Sequence, residues 1–451
     1  MKHIRRIIAM LMCLFMLPAF AQAEAGLPLQ DAHRVSLAQT ETRQKNGSSV
    51  HLWHIETAHV DVTDELNALA QAWAAELGPT LKAPGSSNSR LYVSIRPSRT
   101  GLTWQSYMLQ ARTVYHEKTA GVRFTTRTYD MATGDAITLE DVFPAESEAW
   151  GMLAEAVRNG VNAYFPDMTA DAEALDAACA RQAVETMDFT LHGMSLVLHL
   201  HAADFYPGKE QLIEVTLYYP DIRPFMTEKA QAETDNLTYY KTAALTYDDG
   251  PNGMISTRMM DVLLKTGVRA TFFLVGERIR QQHFVVQREH DEGHAIATHN
   301  FEHVYANSTP ASRLTPMPAK VNKATVDAIG IPVRYARAPG GQWEGMARAE
   351  MGWPLIQWSV EAQDWQGEYG PSPKQTATNI VAGMTDGGII LMHDLKRNSP
   401  KATELFIREL QEQGYLFLTV DELFVKDGVV LEPDAPYWRC TDGYTRKELA
   451  Q

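Results

Sequence analysis

The 451-residue sequence is poor in cysteine, in excess positive charge and in long apolar runs. None of its three cysteines, at positions 13, 179 and 440, has C-x-x-C spacing, which argues against a thiolate metal site or a dithiol redox motif. Acidic residues outnumber Lys and Arg by 55 to 41, and the formal charge of −14 argues against a protein that binds nucleic acid by neutralising phosphates. The only long apolar run, residues 7–20, has 14 residues and contains Pro18, so it is too short for a comfortable transmembrane helix.

The run at residues 7–20 has the features of a secretion signal. Three basic side chains precede it, and Ala-Gln-Ala at residues 21–23 forms a small-x-small cleavage site. We expect residues 1–23 to be a signal peptide and the protein to be exported to an extracellular, cell-wall-associated or periplasmic location; an uncleaved anchor is the alternative. Export permits a disulfide between Cys179 and Cys440, with two unpaired thiols as the other possibility.

The rest of the chain divides into regions of different pattern. Residues 27–225 mix alternating, strand-like segments with helical ones and are predicted to form an α+β accessory domain. Residues 226–240 are polar, as is typical of a linker. In residues 241–425 short apolar strands, among them 295–298 and 333–336, alternate with helical segments, among them 255–265 and 277–290. We therefore predict an α/β fold in which a distorted (β/α) barrel domain is preceded by the separate α+β domain. Residues 426–451 are predicted to be a surface tail.

Side chains with catalytic chemistry follow predicted strand ends in the second region. Asp248 and Asp249 come directly after a strand, where neighbouring side chains diverge, so one can bind a metal while the other acts as a base. The four-residue spacing of His299 and His303 predicts that both rings lie on one face of a helical turn, where two imidazoles and a carboxylate can bind catalytic zinc. Asn300 after the first histidine excludes a zincin protease. A simple turn and two incidental histidines are the alternatives.

Three further motifs lie at later strand ends: Arg337-Ala338-Pro339-Gly340-Gly341, Glu361-Ala362-Gln363-Asp364-Trp365 and Leu391-Met392-His393-Asp394. With all five motifs in this order, the sequence resembles the NodB-like polysaccharide deacetylases, carbohydrate esterase family 4. The resemblance covers residues 241–424, less than half of the chain. It implies a metal-dependent hydrolase that removes acetate from N-acetylated sugars.

The resemblance implies a role for each residue that matches a family motif. Asp249, His299 and His303 would bind a divalent cation, in the first place zinc, with cobalt or manganese as alternatives. Asp248 would be the general base that takes a proton from water. Arg337 would pair with that base and favour its ionised form.

The remaining implied roles concern the leaving group and the substrate. His393 would be the general acid that protonates the leaving amine, and Asp364 would orient it and raise its pKa. The backbone N–H of Gly340 would donate to the oxyanion. Trp365 and Leu391 would line the apolar pocket for the acetyl methyl group.

The sequence departs from the family pattern at three positions. Asn300 stands where a Ser or Thr hydroxyl usually supports the second metal histidine. Gly340 stands where an aromatic residue is frequent, so we expect one sugar-contacting surface to be missing. Glu361 replaces a more usual Asp, which we expect to be tolerated. None of the three changes removes a metal ligand, the base or the acid.

The first region carries a second resemblance. Residues 127–143, with 202–208 and 213–218, are similar to the extracytoplasmic domain of lysozyme-sensing anti-sigma factors, which precedes the deacetylase domain in some secreted peptidoglycan deacetylases. This resemblance implies binding of cell-wall glycan or of lysozyme, and it favours peptidoglycan over chitin as the substrate. Two alternatives stay open: an O-acetyl xylan-type esterase, and a non-catalytic cell-wall or lysozyme-binding protein.

Overall fold

The structure is a computed structural model that describes residues 26–82, 88–116, 118–367 and 370–439. The predicted signal peptide and Cys440 lie outside these residues, so the structure does not test whether Cys440 pairs with Cys179. Within the described residues the Cys179 thiol forms no disulfide, and it lies 3.4 Å from the carbonyl oxygen of Ala154. Among the described helices, none combines the length and the apolar character that a membrane span requires.

A six-stranded sheet and one long helix form the first part of the described chain. Its strands are β1 (Ser36–Arg43), β2 (Ser49–Glu56), β3 (Arg90–Thr100), β4 (Trp104–Tyr115), β5 (Lys118–Asp130) and β6 (Asp135–Ala136), and they neighbour one another in that order. Helix α1 (Val60–Leu77) connects β2 to β3, which pair in parallel, and the other neighbours are antiparallel. The apolar face of α1, including Leu66 and Trp73, is buried in the core that it shares with the sheet.

A smaller antiparallel sheet and several helices complete the first half. The strands are β7 (Phe189–Leu191), β8 (Ser195–His201) and β9 (Leu212–Tyr218). The helices are α2 (Leu139–Val142), α3 (Ala149–Ala163), α4 (Ala172–Ala178) and α5 (Arg181–Glu185). Apolar side chains of α3, such as Leu153 and Val157, share one buried core with this sheet. The half therefore has the mixed α and β content that was predicted for it.

The predicted linker, residues 226–240, is folded instead of extended. Helix α6 (Tyr219–Ile222) precedes this segment, and helices α7 (Glu228–Glu233) and α8 (Asn236–Tyr239) follow one another within it. Asn236 is buried, and its Nδ2 donates to Thr100 Oγ1 at 2.8 Å and to the Gly193 carbonyl at 3.0 Å. Polar side chains of this segment thus form hydrogen bonds with the first half. For this reason the polar composition of residues 226–240 does not by itself identify an extended linker.

The second half is built on a parallel sheet. Its strands are β10 (Lys241–Asp248), β11 (Thr271–Leu274), β12 (Ala295–Thr298), β13 (Leu355–Ile356), β14 (Val360–Glu361), β15 (Gly388–His393), β16 (Tyr415–Leu418) and β17 (Pro436–Tyr437). The helices are α9 (Ile255–Thr266), α10 (Gly276–Gln281), α11 (His283–Asp291), α12 (Ala311–Leu314), α13 (Met317–Ile329), α14 (Trp343–Arg348), α15 (Pro373–Gly383), α16 (Ser399–Glu412) and α17 (Val420–Lys426). The main sheet has the order β12-β11-β10-β15-β14, and β16 pairs with the first residues of β10.

The half is α/β as predicted, but the closed barrel is not confirmed. Beyond β12 the sheet continues only through single bridges, from Thr298 to Ala336 and from Ala336 to Leu355. In the described part of the chain, no ladder joins β14 to β13 or to β17, so the sheet is open on that side. The strand predicted around residues 333–336 is reduced to the bridge at Ala336. The helix predicted at residues 277–290 is divided into α10 and α11 at Gln282, which has φ −137° and ψ +47°.

Part of the predicted surface tail is buried in this half. Strand β17 pairs in parallel with β13, and the Gln357 backbone N–H donates to the Tyr437 carbonyl at 2.7 Å. The Tyr437 ring lies edge-on to the Phe424 ring with centroids 5.5 Å apart. Residues 435–437 therefore extend the core, because all three residues are buried.

The two halves share a buried polar interface. The Arg112 guanidinium on β4 lies 2.5 Å from the Asp291 carboxylate at the end of α11. Arg96 on β3 donates to the Asp291 carbonyl at 3.2 Å, and the Ser195 hydroxyl donates to the Glu422 carboxylate at 2.6 Å. All these side chains are buried. The boundaries assigned to the domains from the sequence stay predictions.

Parallel pairing brings the carboxyl ends of the strands to one edge of the main sheet. Asp248 is in register with His393 of β15, and Leu274 of β11 is in register with Thr298 of β12. The residues that follow these strand ends therefore meet at the same edge, the usual place for a ligand site in an open α/β sheet.

Candidate active site and metal centre

Asp248, the last residue of β10, is held by a buried arginine. Nη1 of Arg337 donates to Asp248 Oδ1 at 2.8 Å and to Thr246 Oγ1 at 2.7 Å, while the other guanidinium nitrogens donate to two backbone carbonyls at 3.0 and 2.9 Å. Burial lowers the pKa of Arg337, and the Asp248 carboxylate opposes that shift. Asp248 Oδ1 is thus engaged, while Oδ2 lies 3.7 Å from His299 Nδ1.

Asp249, His299 and His303 lie together beside Asp248. Asp249 Oδ1 is 3.1 Å from His303 Nε2 and 3.6 Å from His299 Nε2, and the three ligand atoms lie within 4.8 Å of one another. Asp249 Oδ1 is buried and makes no hydrogen bond within the described residues. An unsatisfied carboxylate oxygen facing two imidazoles is a donor set that fits a divalent cation.

The tautomer of His299 also fits a metal ligand. Its Nδ1 lies 2.9 Å from the backbone carbonyl of Arg337, and only an Nδ1–H can make that hydrogen bond. The Nε2 lone pair is therefore directed to the side on which Asp249 lies. A backbone acceptor that fixes the ring in this way is usual behind metal-binding histidines.

The pair of histidines is carried by a loop and not by the helical turn that the spacing predicted. Residues 299–303 are non-helical, and Asn300 has φ +70°, a left-handed conformation that Asn tolerates better than most residues. The rings still approach to 5.2 Å between centroids. Asn300 Oδ1 accepts from the Phe301 N–H at 2.8 Å, while its buried Nδ2 has no partner in the described structure. Asn300 therefore does not support His303 through a hydrogen bond there.

The charges in this cluster reinforce one another. Burial opposes ionisation of Asp249, but His303, whose Nε2 lies 3.1 Å from Asp249 Oδ1, and the neighbouring histidines hold the pKa of Asp249 below its usual range. Asp249 in turn raises the pKa of His303. Burial lowers the pKa of His299, which favours the neutral ring that a metal requires.

His393, on the other side of Asp248, is held by a carboxylate. Its Nδ1 lies 2.9 Å from Asp364 Oδ1, and its backbone N–H donates to Asp364 Oδ2 at 2.8 Å. The Ser399 hydroxyl also donates to Oδ2 at 2.8 Å. Burial opposes protonation of His393, but Asp364 and the more distant Asp248 and Asp249 raise its pKa to about 9. His393 is thus a cation at neutral pH whose Nε2 is not engaged by Asp364.

The three residues predicted to contact substrate lie around these groups. Leu391 is buried in β15, and Trp365 is half exposed, with its Nε1 donating to Glu361 Oε1 at 2.7 Å. Gly340 follows Arg337 closely and has φ +63°. No hydrogen bond or ion pair in the described residues joins these three to the cluster, so the structure brings together the predicted metal, base and acid residues but does not test the substrate contacts.

Sequence reasoning missed several residues that support the site. Nη1 of Arg278 donates to the backbone carbonyl of Asp249 at 2.5 Å, and no motif spacing marks that arginine or Ser399. Asp394, which follows His393, received no role. It is fully buried, burial raises its pKa to about 7, and the Ser256 hydroxyl donates to its carboxylate. A side chain at Gly250 would collide with Asp394, because a Cβ there would lie 2.3 Å from Oδ2.

The sequence is similar to known polysaccharide deacetylases. The family model for polysaccharide deacetylases matches residues 236–352. The peptidoglycan-N-acetylglucosamine deacetylase PgdA of Listeria monocytogenes is 33% identical over 202 residues, which are 45% of this chain and 42% of that protein. A peptidoglycan-N-acetylglucosamine deacetylase of Bacillus cereus is 30% identical over 192 residues, 39% of this chain and 68% of that protein. The solved structure of peptidoglycan deacetylase PdaC from Bacillus subtilis is 28% identical, covers 41% of this chain and 90% of its own, and gives a TM-score of 0.39.

These matches have a limited extent. They cover the C-terminal part of the chain, and the aligned segment spans less than half of the Listeria protein. The similarity of residues 27–225 to the extracytoplasmic domain of anti-sigma factors is not confirmed and stays a prediction. The Bacillus cereus protein, in contrast, is matched over two thirds of its length. Through its C-terminal part, the chain therefore belongs to the polysaccharide deacetylase family, as its five strand-end motifs predicted.

Proposed function

We propose that the protein is an exported, metal-dependent deacetylase that hydrolyses N-acetyl groups of peptidoglycan amino sugars to free amine and acetate. The observation that carries this proposal is the placement of Asp248, which lies between the Asp249–His299–His303 cluster and the His393–Asp364 pair. The two peptidoglycan deacetylases to which the chain is similar support the choice of substrate. The apolar run with its small-x-small site supports export. Related chito-oligosaccharides are the alternative substrate.

Asp249, His299 and His303 would hold the metal ion, for which zinc suits one carboxylate and two imidazoles. A bound divalent cation supplies Lewis acidity, which polarises the acetyl carbonyl and makes water more acidic. The protein prepares these ligands, because the Arg337 carbonyl orients His299 and Arg278 holds the backbone of Asp249.

Asp248 would act as the base at its Oδ2 atom. Arg337 occupies Oδ1 and stabilises the carboxylate charge, so Oδ2 is the oxygen that accepts a proton from the attacking water. As that proton leaves, the water oxygen bonds to the acetyl carbon. The Gly340 N–H would donate to the carbonyl oxygen as negative charge develops on it.

His393 would complete the reaction as the acid. Asp364 holds Nδ1, so Nε2–H is the proton that passes to the sugar nitrogen as the carbon–nitrogen bond breaks. The nitrogen leaves as an amine and the acyl group as acetate, and the proton taken up by Asp248 balances the one given by His393. Trp365 and Leu391 stay assigned to the acetyl methyl pocket.

Acetate release tests this proposal. Purified peptidoglycan and chito-oligosaccharides are each incubated with the zinc-loaded protein, with Asp248→Asn and with the control Asp327→Asn, which changes an exposed carboxylate on α13. We expect release by the unchanged protein and by the control, and at least about a 100-fold loss in Asp248→Asn, as is typical when a general base is removed. Equal rates in all three proteins would overturn the assigned mechanism.

The same assay separates the alternatives. Release from acetylated xylan but from neither N-acetylated glycan would identify an O-acetyl esterase. Binding of peptidoglycan without release from any substrate would identify a non-catalytic wall-binding protein. Residues 27–225 stay assigned, as a prediction, to binding of wall glycan or lysozyme, and titration of the full chain with lysozyme tests that assignment.

A further inference from the structure

The ring of Tyr305 lies against Gly340 at the rim of the metal-ligand cluster. A Cβ atom on Gly340 would lie 2.7 Å from Cε1 and 3.1 Å from Cδ1 of Tyr305, so the ring covers the position that a side chain would need. The same ring lies edge-on to His303 with centroids 6.0 Å apart. Gly340 and the Tyr305 ring are therefore complementary, and the ring lies beside the position at which the family pattern frequently has an aromatic residue.

The segment that carries Tyr305 is firmly anchored. Its carbonyl accepts the Thr309 hydroxyl at 2.8 Å, and Asn307 Nδ2 donates to the Glu344 carboxylate at 3.1 Å. The backbone of Ala306 packs so closely on α14 that a Cβ on Gly345 would lie 2.2 Å from it. The backbone that carries the ring is consequently held in place before any ligand binds, which reduces the entropy lost on binding.

The Tyr305 side chain is nevertheless exposed, and its hydroxyl group does not hold any part of the described fold together. The side chain is 52% exposed, and its hydroxyl has no hydrogen-bond partner in the described residues. Trp365, which follows the carboxylate that holds His393, is 50% exposed. Because His303 and His393 follow strands on opposite sides of β10, the two exposed aromatic side chains lie on opposite sides of Asp248. Exposed aromatic surface beside a polar site is typical of ligand binding.

We propose that Tyr305 is a platform for a pyranose ring of the glycan, next to the sugar whose acetamide reacts. The apolar C–H face of a pyranose would stack on the aromatic ring, and the free hydroxyl would reach a sugar hydroxyl. Tyr305 would thereby set a preference for oligosaccharides over a single N-acetylated sugar. The identity of the ligand as a glycan rests on the proposed function. Tyr305 itself takes no part in proton transfer.

The test compares an N-acetylglucosamine oligosaccharide with the monosaccharide in the zinc-loaded full chain. The variants are Tyr305→Ala, Tyr305→Phe and the control Tyr115→Ala, which removes an exposed tyrosine of the first half. We measure KM and kcat for acetate release, and by calorimetry we measure oligosaccharide binding without turnover in the Asp248→Asn background. For Tyr305→Ala we expect about a tenfold loss of oligosaccharide affinity, the size of one well-placed aromatic contact. We expect kcat within about twofold and no change for the monosaccharide. Tyr305→Phe should lose less oligosaccharide affinity than Tyr305→Ala, because the ring stays and only the hydroxyl is removed.

The outcomes distinguish this proposal from the proposed function. Unchanged oligosaccharide binding in Tyr305→Ala would overturn the platform even if acetate is released. A loss of kcat on both substrates would also overturn it, because Tyr305 would then act through His303. If the protein releases no acetate but binds the oligosaccharide, and Tyr305→Ala loses that binding, the platform stands and the deacetylase proposal fails. If the oligosaccharide does not bind at all, the platform is wrong.

Discussion

Nη1 of Arg337 lies 2.8 Å from Oδ1 of Asp248, and the two side chains are 0% and 4% exposed. A buried ion pair contributes little net stability when it is intact, but removal of one partner costs about 3–5 kcal/mol because the other charge is left without compensation. In the proposed mechanism the same contact fixes one oxygen of Asp248 and leaves the other for proton transfer. Stability and catalysis would therefore both depend on one guanidinium.

Arg337→Lys should damage both properties although it keeps the positive charge. Lysine cannot reproduce the fork that reaches Asp248, Thr246 and two carbonyls, so buried acceptors lose their donors. We expect the free energy of unfolding to fall by about 3 kcal/mol in denaturant titrations. Acetate release should fall by about 100-fold, as expected when a reacting group is displaced by about 1 Å.

The matched control is Arg158→Lys, which changes an exposed arginine paired with Asp176. Its free energy of unfolding should equal that of the unchanged protein within the error of the titration, because an exposed ion pair contributes little to stability. If Arg337→Lys is as stable and as active as this control, the buried pair does not have the role argued above.

The elements around this pair were largely predictable because they are short, apolar and bounded by turns. The strand predicted at residues 295–298 has those bounds in the structure, and the helix predicted at 255–265 ends one residue later. Strand β4 had no such signal. Nearly all of its side chains are buried, including Gln105, Gln110 and Arg112, so polar and apolar residues do not alternate along it.

The candidate site was predicted through motif order, and what escaped prediction depends on contacts between distant segments. The loop conformation of Asn300 and the meeting of Tyr305 with Gly340 are set by tertiary packing, which residue spacing does not encode. The buried bonds of Asn236 show the same limit, since a polar residue can bond to protein as well as to water.

The pH dependence of activity should report the His393–Asp364 pair. The acid must be protonated, so kcat/KM should fall as the pH rises through about 9, the pKa of His393. Asp364→Asn removes the carboxylate that raises this pKa, so the alkaline limb should move to lower pH by at least about one unit, toward the ordinary histidine value. A bound cation acts on the pKa of His393 in both proteins, so it does not change the direction in which the alkaline limb moves between them. An alkaline limb at the same pH in both proteins would contradict the assignment of His393 as the acid.

The His393–Asp364 pair should also make the free energy of unfolding depend on pH. Because folding raises the pKa of His393, its contribution to stability is fully present below the unfolded value near 6.5 and is lost as the pH rises through about 9. The difference in unfolding free energy between the unchanged protein and Asp364→Asn should therefore shrink from pH 6 to pH 10. Asp327→Asn should show no such trend.

Metal binding should depend on each member of the proposed ligand set. Zinc is added back to chelator-treated protein in three variants, Asp249→Asn, His299→Ala and His303→Ala. Each variant should lower zinc affinity by more than roughly 100-fold. Loss of a residue that only hydrogen-bonds to a metal ligand costs roughly 10-fold to 100-fold, and loss of the ligand itself should cost more. Calorimetry measures the affinity, and thermal unfolding checks it, because zinc at about 100 times its Kd should stabilise the unchanged fold by about 2.7 kcal/mol. His201→Ala removes a histidine distant in sequence from the ligand set and should bind zinc normally. Normal affinity in a proposed ligand variant would remove that residue from the set.

The ion pair between Arg112 and Asp291 should make the two halves depend on each other for stability. The side chains are 3% and 0% exposed, and Asp291 also accepts from His290 Nδ1 at 2.9 Å. Arg112→Met leaves Asp291 buried with one partner fewer, so we expect a loss of about 3 kcal/mol in the free energy of unfolding. Asp291→Asn in the same chain should restore part of that loss, because no uncompensated carboxylate then remains, and the double-mutant cycle measures this coupling.

The control for this interface is Arg43→Met, which removes an exposed partner of Glu41 on β1 and should leave the free energy of unfolding unchanged within experimental error. If Arg112→Met costs no more than this control, the interface is not a source of stability. If it costs about 3 kcal/mol and near-ultraviolet circular dichroism shows both halves unfolding in one transition, the catalytic half relies on the first half for its fold. A separately expressed second half would then expose Asp291 and the rest of the interface, so an assay of the deacetylase requires the full chain.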